Sequence, residues 1–291
     1  MNTKINKSYY GYIFIAPFFI GFLLIGLAPI LYTFYLSLTK WDGFSDPVYV
    51  GAANYTRLIH DSFFFQTIGS TLIIWVMAII PQILLALGLA LILNERFIRG
   101  KHFFRAVFYF PHIVTPVTLG VLFSLMFDWQ TGSINKVLMN IGLVDDPVNW
   151  FNNPWWSRII VAGVICWQYF GFNLIIFIAG LQGISKEVYE AAEVDGATKP
   201  VIIRHIILPL LRPVMLFTFI TSVIGGLQLF DAPLMLGDGP GNSTRTMIMY
   251  LYETAFKNFD YSYGSAIAYG IFIVVMFFTA ITTLATRTKK E

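Results

Sequence analysis

The sequence predicts an all-α polytopic membrane protein with six transmembrane helices, and three observations carry that prediction. Of 291 residues, 57% are hydrophobic, 17% aromatic and only 12% charged, whereas soluble domains carry about 25% charged residues. Six charge-free apolar stretches, at 11–36, 68–93, 106–127, 159–181, 214–230 and 264–285, approach or exceed the ~20 residues that cross roughly 30 Å of hydrocarbon. Lys and Arg divide unevenly between the connecting segments, thirteen on one side and six on the other. The net charge of +3 is too small to suggest a nucleic-acid partner. The single cysteine, Cys166, cannot form an internal disulfide and reads as a buried, inert thiol in an apolar run.

The first span follows Lys4 and Lys7, as a signal peptide would follow its charged segment. Its apolar run is about twice a normal signal core, however, and it leads straight into Lys40-Trp41-Asp42-Gly43 with no small-residue cleavage site, so it is read as a retained helix. The fifth span is the shortest, with an extension back toward Leu208 open. The segments 37–67, 127–158 and 231–263 are each too short to form a domain, and the whole chain, 1–291, reads as one transmembrane domain. These three segments carry Trp41, Trp129, Trp150, Trp155, Trp156, Tyr261 and Tyr263, the aromatics expected at a membrane interface. On the opposite side lie Lys4, Lys7, Arg96, Arg99, Lys101, Arg105, Lys186, Lys199, Arg204, Arg212, Arg287, Lys289 and Lys290. Positive segments stay cytoplasmic, so both termini are expected in the cytoplasm of a cell whose membrane the chain crosses.

The spans hold no Asp, Glu, Lys or Arg. Proton relays, ion paths and voltage sensors need such groups, which argues against a carrier, pump or voltage-gated channel built from this chain alone. His112 is the one titratable exception besides the thiol and the phenols, and reads as hydrogen-bonded to a neighbouring helix. No phosphate loop occurs, so nucleotide hydrolysis by the chain itself is not expected. Gly237-Asp238-Gly239-Pro240-Gly241 reads as a turn. His60, His102, His112 and His205 fall at no metal spacing. No catalytic residue, metal ligand or cofactor is assigned to this chain.

Neutral polar and aromatic groups do occur inside the spans: Trp167, Gln168, Tyr169, Phe172 and Asn173 in the fourth, Thr221, Ser222 and Gln228 in the fifth. Thr221, Gly225 and Gln228 fall at i, i+4 and i+7, on one helix face. Such a set suits a neutral polyhydroxylated ligand, whose faces stack on rings and whose hydroxyls need partners. It equally suits hydrogen-bonding glue between helices, and spacing alone does not separate the two.

Between the fourth and fifth spans, Ser185 is placed to cap a short helix with Glu187 in its first turn. Gly196 is placed to end that helix in a left-handed conformation. Thr198 caps a second helix that tolerates Pro200 in its first turn and precedes Pro209. The paired Ala191 and Ala192 make the first helix thin enough to enter a groove on another protein, with Glu190, Glu193 and Asp195 at the rim. An interfacial linker helix is the alternative.

The run Glu190-Ala191-Ala192-Glu193-Val194-Asp195-Gly196-Ala197, followed by Ile206-Ile207-Leu208-Pro209 and Pro213, resembles the EAA loop (here 185–209) of ABC importer permeases. Pro200 and Ile203 stand where aromatics are common. Further segments resemble sugar-importer permeases of the maltose-transporter class over nearly the whole chain: Val50-Gly51-Ala52-Ala53-Asn54-Tyr55, Phe104-Arg105-Ala106-Val107-Phe108-Tyr109-Phe110-Pro111, Gly132-Ser133-Ile134-Asn135, Leu181-Gln182-Gly183-Ile184 and the 237–244 turn, where Asp238 replaces a usual Gly. The resemblance implies a type I ABC importer permease core that carries a sugar. Its expected partners are a second similar permease, two cytoplasmic ATPase subunits that bind ATP and Mg, an extracytoplasmic sugar-binding protein and membrane lipids. It implies ATPase coupling through Glu190, Ala191, Ala192, Asp195, Gly196, Ala197, Leu208 and Pro209. Sugar contact is expected at Gln168, Tyr169, Phe172, Asn173, Thr221, Gly225 and Gln228. Glycerol-3-phosphate is the alternative cargo, though the spans offer a phosphate no cation. An ATP-independent facilitator or a membrane enzyme is the rival outside the class.

Overall fold

The computed structural model describes residues 7–95 and 97–286; Lys4, Arg96, Arg287, Lys289 and Lys290, counted above toward orientation, lie outside the described residues. In chain order the elements are α1 (Gly11–Ser37), strands β1 (Thr39–Lys40) and β2 (Val48–Tyr49), then α2 (Ala53–Ile59), α3 (Ser62–Asn94), α4 (Lys101–Ile113), α5 (Pro116–Met126) and α6 (Ser133–Asn140). They continue with α7 (Pro154–Gln182), α8 (Lys186–Val194), α9 (Lys199–Gly226), α10 (Asp231–Leu236), α11 (Met247–Tyr252) and α12 (Tyr261–Thr286). Among the described residues five helices, α1, α3, α7, α9 and α12, are long and apolar enough to cross a membrane, and α4 with α5 forms a sixth, broken span.

The third span is therefore not the single helix expected over 106–127. α4 and α5 meet at 90°. Pro116 explains the break: it forces the preceding residue out of the helical region, and Thr115 sits at ψ 139°. The Thr115 hydroxyl then accepts the Thr118 N–H at 3.3 Å, capping α5. The fifth span also differs from expectation. The short helix that Thr198 begins does not stop before Pro209 but runs on to Gly226 as α9. A π-helical turn at Ile203–Ile207 precedes the proline; this wider turn makes room for a ring that would otherwise clash with the carbonyl four residues back.

The described chain divides into two compact units, residues up to Ser62 with Leu251–Phe272, and Phe63–Tyr250 with the remainder of α12. In the first unit, α1 meets α12 through a bond from the Tyr269 hydroxyl to Ile30 O at 2.7 Å. β1 and β2 form an antiparallel pair, beside which Asn54 donates to Ser37 O and Thr39 O at 2.9 and 2.7 Å. Asp42 accepts the N–H groups of Ser45 and Phe44; those bonds, with the Ser45 hydroxyl, hold its pKa at about 2.

The second unit contains two apolar cores. One joins Ile74, Ala78, Leu119, Ile160, Ile165, Ala232 and Leu236, from α3, α5, α7 and α10. The other joins Ala86, Ala90, Leu93, Leu174, Phe177, Leu181, Ala192, Ile202 and Leu211, from α3, α7, α8 and α9. Small residues let the helices approach closely: a Cβ on Gly171 would overlap the Phe108 carbonyl of α4, and one on Gly226 would overlap the Trp75 indole of α3. Asn135 ties the segment before α7 together, donating to Val148 O at 2.9 Å and accepting from Trp150 Nε1 at 2.9 Å. The 237–241 stretch forms the expected turn, with Gly237, Gly239 and Gly241 all at positive φ. Cys166 is buried.

Candidate functional site

The α8–turn–α9 element is built as its residues dictate. Ser185 and Thr198 occupy the two cap positions in extended conformations, although neither hydroxyl makes a capping bond. Gly196 takes φ +75°, its N–H bonds Glu193 O at 3.1 Å, and the Ala197 N–H reaches back to Ala192 O at 2.9 Å. These two bonds and the apolar contact that accompanies them make a Schellman stop. The contact is supplied by Ala192, buried, and Ala197, half-buried against the same core.

The element has two faces of different character. Ala192 and Ile202 are buried in the core shared with α3, α7 and α9. Glu190, Ala191, Glu193, Val194 and Asp195 are exposed. Of the two alanines expected to thin the helix for a partner, only Ala191 faces outward; Ala192 thins it for the chain's own bundle. Val194, 87% exposed, is an apolar group on the outward face that the sequence reading did not single out. Leu208 is half-buried and Pro209 exposed. An ion pair between Lys199 and Glu95, 2.9 Å, links the start of α9 to the segment after α3. The Tyr189 hydroxyl is buried without a hydrogen-bond partner among the described residues, and burial pushes its pKa up.

A second cluster forms where α4 breaks from α5. The His112 ring stacks on Phe172 with centroids 4.9 Å apart and meets Tyr169 edge-on at 5.4 Å and Tyr109 at 5.3 Å. Asn173 is buried, and its Nδ2, like His112 Nδ1, has no hydrogen-bond partner among the described residues. Gln168 is buried as well; its amide donates to Val114 O at 3.4 Å, the carbonyl freed by the break. His112 was expected to be hydrogen-bonded to a neighbouring helix; instead it meets α7 through its ring, with Nδ1 unbonded among the described residues, and Pro116, which positions the break, was the available signal.

The α9 residues are placed differently. Thr221, Gly225 and Gln228 are all exposed, and the Thr221 hydroxyl bonds Phe217 O and Thr218 O at 2.9 and 3.0 Å. α9 ends at Gly226, so Gln228 stands two residues beyond it. No hydrogen bond or ring contact joins this set to the α7 set among the described residues. α10 follows immediately and packs against α5 and α7, which puts Leu229, Tyr169 and Val114 on one core. A separate groove of about 530 Å³, bordered by Pro81, Leu85, Phe108, Gly163, Cys166 and Phe170, is apolar and includes none of these polar groups.

The chain as a whole is similar to known proteins. The model for "Binding-protein-dependent transport system inner membrane component" matches residues 82–288. The chain is 34% identical over 291 residues to the lactose transport system permease protein LacF of Rhizobium radiobacter, covering 98% of this chain and 97% of that protein. It is 32% identical over 274 residues to the arabinooligosaccharides transport system permease protein AraP of Bacillus subtilis (strain 168), covering 93% and 86%. Among solved structures, a chain of a bacterial ABC transporter involved in import of the acidic polysaccharide alginate superposes with a TM-score of 0.83 at 24% identity, covering 99% of this chain and 98% of that one.

Proposed function

The chain belongs to the family of binding-protein-dependent transport system inner membrane components, and from that membership we propose that it is the non-catalytic permease subunit of an ATP-driven importer of a neutral sugar or oligosaccharide. Lactose and arabinooligosaccharides, named for two relatives, support the cargo class. The observation that carries the reading is the two-faced α8–turn–α9 element. Its inward residues Ala192 and Ile202 share a core with α3, α7 and α9, while its outward residues present carboxylates around Val194 and Ala191.

Work enters through that element. Each tenfold accumulation of a neutral solute costs about 1.4 kcal/mol, and spans without carboxylates offer no co-ion site to supply it. A cytoplasmic ATPase subunit, binding ATP and Mg, grips Glu190, Ala191, Val194 and Asp195. Closure of the ATPase dimer moves α8 as a rigid unit, because Gly196 and Ala197 lock its end. The shared core passes the displacement to three spans, and the bundle shifts between two states. A second permease completes the bundle, and an extracytoplasmic binding protein delivers the sugar. The orientation that meets these requirements has both termini in the cytoplasm, as the Lys and Arg bias supports.

For cargo, the His112, Tyr169 and Phe172 rings supply stacking faces, and the unpartnered Nδ1 of His112 and Nδ2 of Asn173 supply hydrogen-bonding capacity that a sugar hydroxyl satisfies. Thr221, Gly225 and Gln228 form the opposite wall when the bundle closes on the sugar.

Co-expression with a second EAA-bearing permease, an ATPase and a binding protein, followed by reconstitution in liposomes, tests the reading. ATP-dependent sugar uptake that vanishes when the ATPase is omitted is expected. Uptake by this chain alone would overturn it.

A further inference from the structure

The apolar groove among α3, α4 and α7 has no place in the transport reading, and a basic cluster stands at one end of it. Along α3 it runs from Met77 to Leu89, twelve residues and so about 18 Å, close to the half-thickness of a hydrocarbon core about 30 Å deep. At about 530 Å³ over that length it is slimmer than a helix, which is about 10–12 Å across. Leu85 on one wall is exposed, and a Cβ on Gly163 of the other would meet nothing within 4 Å, so no described part of the chain fills the groove there. Phe108 borders it from α4 and meets Phe170 of α7 edge-on, with centroids 5.8 Å apart.

Lys101, Arg105 and Phe108 fall at i, i+4 and i+7 and share one face of α4. Arg105 therefore stands about 4.5 Å along the helix from Phe108, and Lys101 one turn further. Arg105 Nε is buried and has no hydrogen-bond partner among the described residues. Lys101 Nζ, with three N–H groups, uses one on Asn94 O at 3.3 Å. Residues 97–105 hold Arg99, Lys101 and Arg105 and no Asp or Glu. The carboxylate nearest in sequence, Glu95, is already paired with Lys199.

We propose that the groove holds one acyl chain of an anionic phospholipid, whose phosphate is held by Arg105 and Lys101. The inference goes beyond the transport reading and needs only that the spans lie in a bilayer. An acyl chain matches the apolar walls, which suit a sugar poorly. A buried charged donor without a partner is costly, and a phosphate oxygen supplies the acceptor that the chain does not. A guanidinium takes phosphate oxygens in pairs, while an ammonium acts as a point charge. Basic pockets between spans hold anionic headgroups in this way. Three cations without a free carboxylate beside them favour a net negative headgroup over a zwitterionic one.

The test uses the assembled transporter, with its second permease and ATPase, in phosphatidylcholine nanodiscs. The probes are phosphatidylglycerol and phosphatidylcholine, each carrying a photoactivatable diazirine midway along one acyl chain, with labelled peptides read by mass spectrometry. Phosphatidylglycerol is expected to label the α3 and α7 residues of the groove at least about fivefold more than phosphatidylcholine, the preference that one basic residue at a membrane surface confers. Arg105→Gln with Lys101→Gln removes that preference, and Arg105→Lys alone keeps most of it. Gly163→Leu fills the groove and removes labelling by both probes. Equal labelling of the wild type by the two lipids would overturn the headgroup assignment. A wild-type groove that takes no label, as when the second permease covers it, or labelling undiminished in Gly163→Leu, would overturn the acyl-chain assignment. If the double variant does not assemble, the wild-type comparison and Gly163→Leu still decide. None of these outcomes bears on ATP-dependent sugar uptake, so the transport reading stands or falls separately.

Discussion

The side-chain amide of Gln168 donates to the carbonyl oxygen of Val114 across 3.4 Å, so a residue of α7 holds the break between α4 and α5. Gln168 was expected at the cargo; in this conformation its amide is bonded to the protein. Val114 is half-buried, so leaving its carbonyl oxygen unpaired costs at most about 1–3 kcal/mol. Gln168→Leu is therefore expected to lower the thermal unfolding midpoint of the purified transporter by several degrees, and Gln168→Glu, which removes the donor and adds charge, by more. Thermal shift in detergent, read beside uptake, separates this from a cargo contact, which would change transport at unchanged stability.

Gly196→Val places a β-branched residue at φ +75°, a conformation that costs an L residue roughly 1–2 kcal/mol. Nothing lies within 4 Å of the position a Cβ would take, so strain and not crowding is the cause. Gly196→Asn, which tolerates that region, is expected to retain most function and Gly196→Val to lose the fixed end of α8. The measurement is sugar transported per ATP hydrolysed in liposomes. A wild-type ratio for Gly196→Val would sink the lever assignment.

Gly171 and Phe108 mark a close approach of α7 to α4, where an added methyl would overlap the Phe108 carbonyl. Gly171→Ala is expected to destabilise by about 1–3 kcal/mol. Gly163→Ala on the same helix, with nothing within 4 Å, is expected to change stability by less than about 0.5 kcal/mol. Unfolding midpoints of the two variants, purified in parallel, check the contrast.

Much of this was legible from residue chemistry. The five unbroken spans follow from charge-free apolar length, and the Schellman stop follows from a Gly placed after a short polar helix. The 90° break was written in Thr115-Pro116 but masked by the continuous apolarity of 106–127, since hydropathy does not sense backbone direction. Pro209 misled in the opposite sense: a proline normally ends a helix, but the π turn at Ile203–Ile207 absorbs it, and α9 continues. The seat of α10 on α5 and α7 escaped notice because a loop position says nothing about which helices the returning chain packs on. The partition of Ala191 and Ala192 between an outer and an inner face is likewise a property of the three-helix core beneath α8, not of the pair itself.

The Lys199–Glu95 ion pair at 2.9 Å joins the start of α9 to the segment after α3, but its two side chains are 70% and 37% exposed. Exposed pairs contribute about 0–1 kcal/mol and are screened by salt. Glu95→Gln is expected to shift the unfolding midpoint by no more than a degree or two, and a double-mutant cycle with Lys199→Gln to give a coupling below about 1 kcal/mol. A coupling well above that, persisting in high salt, would show that this contact is screened less than its exposure requires.

Asp42 carries a sharper pH dependence. Its folded pKa of about 2 lies below the ordinary 3.8, because the Ser45 and Phe44 N–H groups and the Ser45 hydroxyl all donate to the ionised form. A depressed carboxylate stabilises the turn fully above the unfolded value, and that contribution is lost as pH falls from about 4 through about 2. Amide hydrogen exchange at Phe44 and Ser45, corrected for its intrinsic pH dependence, is therefore expected to show constant protection above about pH 4.5 and falling protection below it. Asp42→Asn keeps an accepting oxygen but cannot ionise, so its protection is expected to be weaker at neutral pH and flat across the same window. Protection that falls with pH equally in Asp42→Asn would assign the effect to another group.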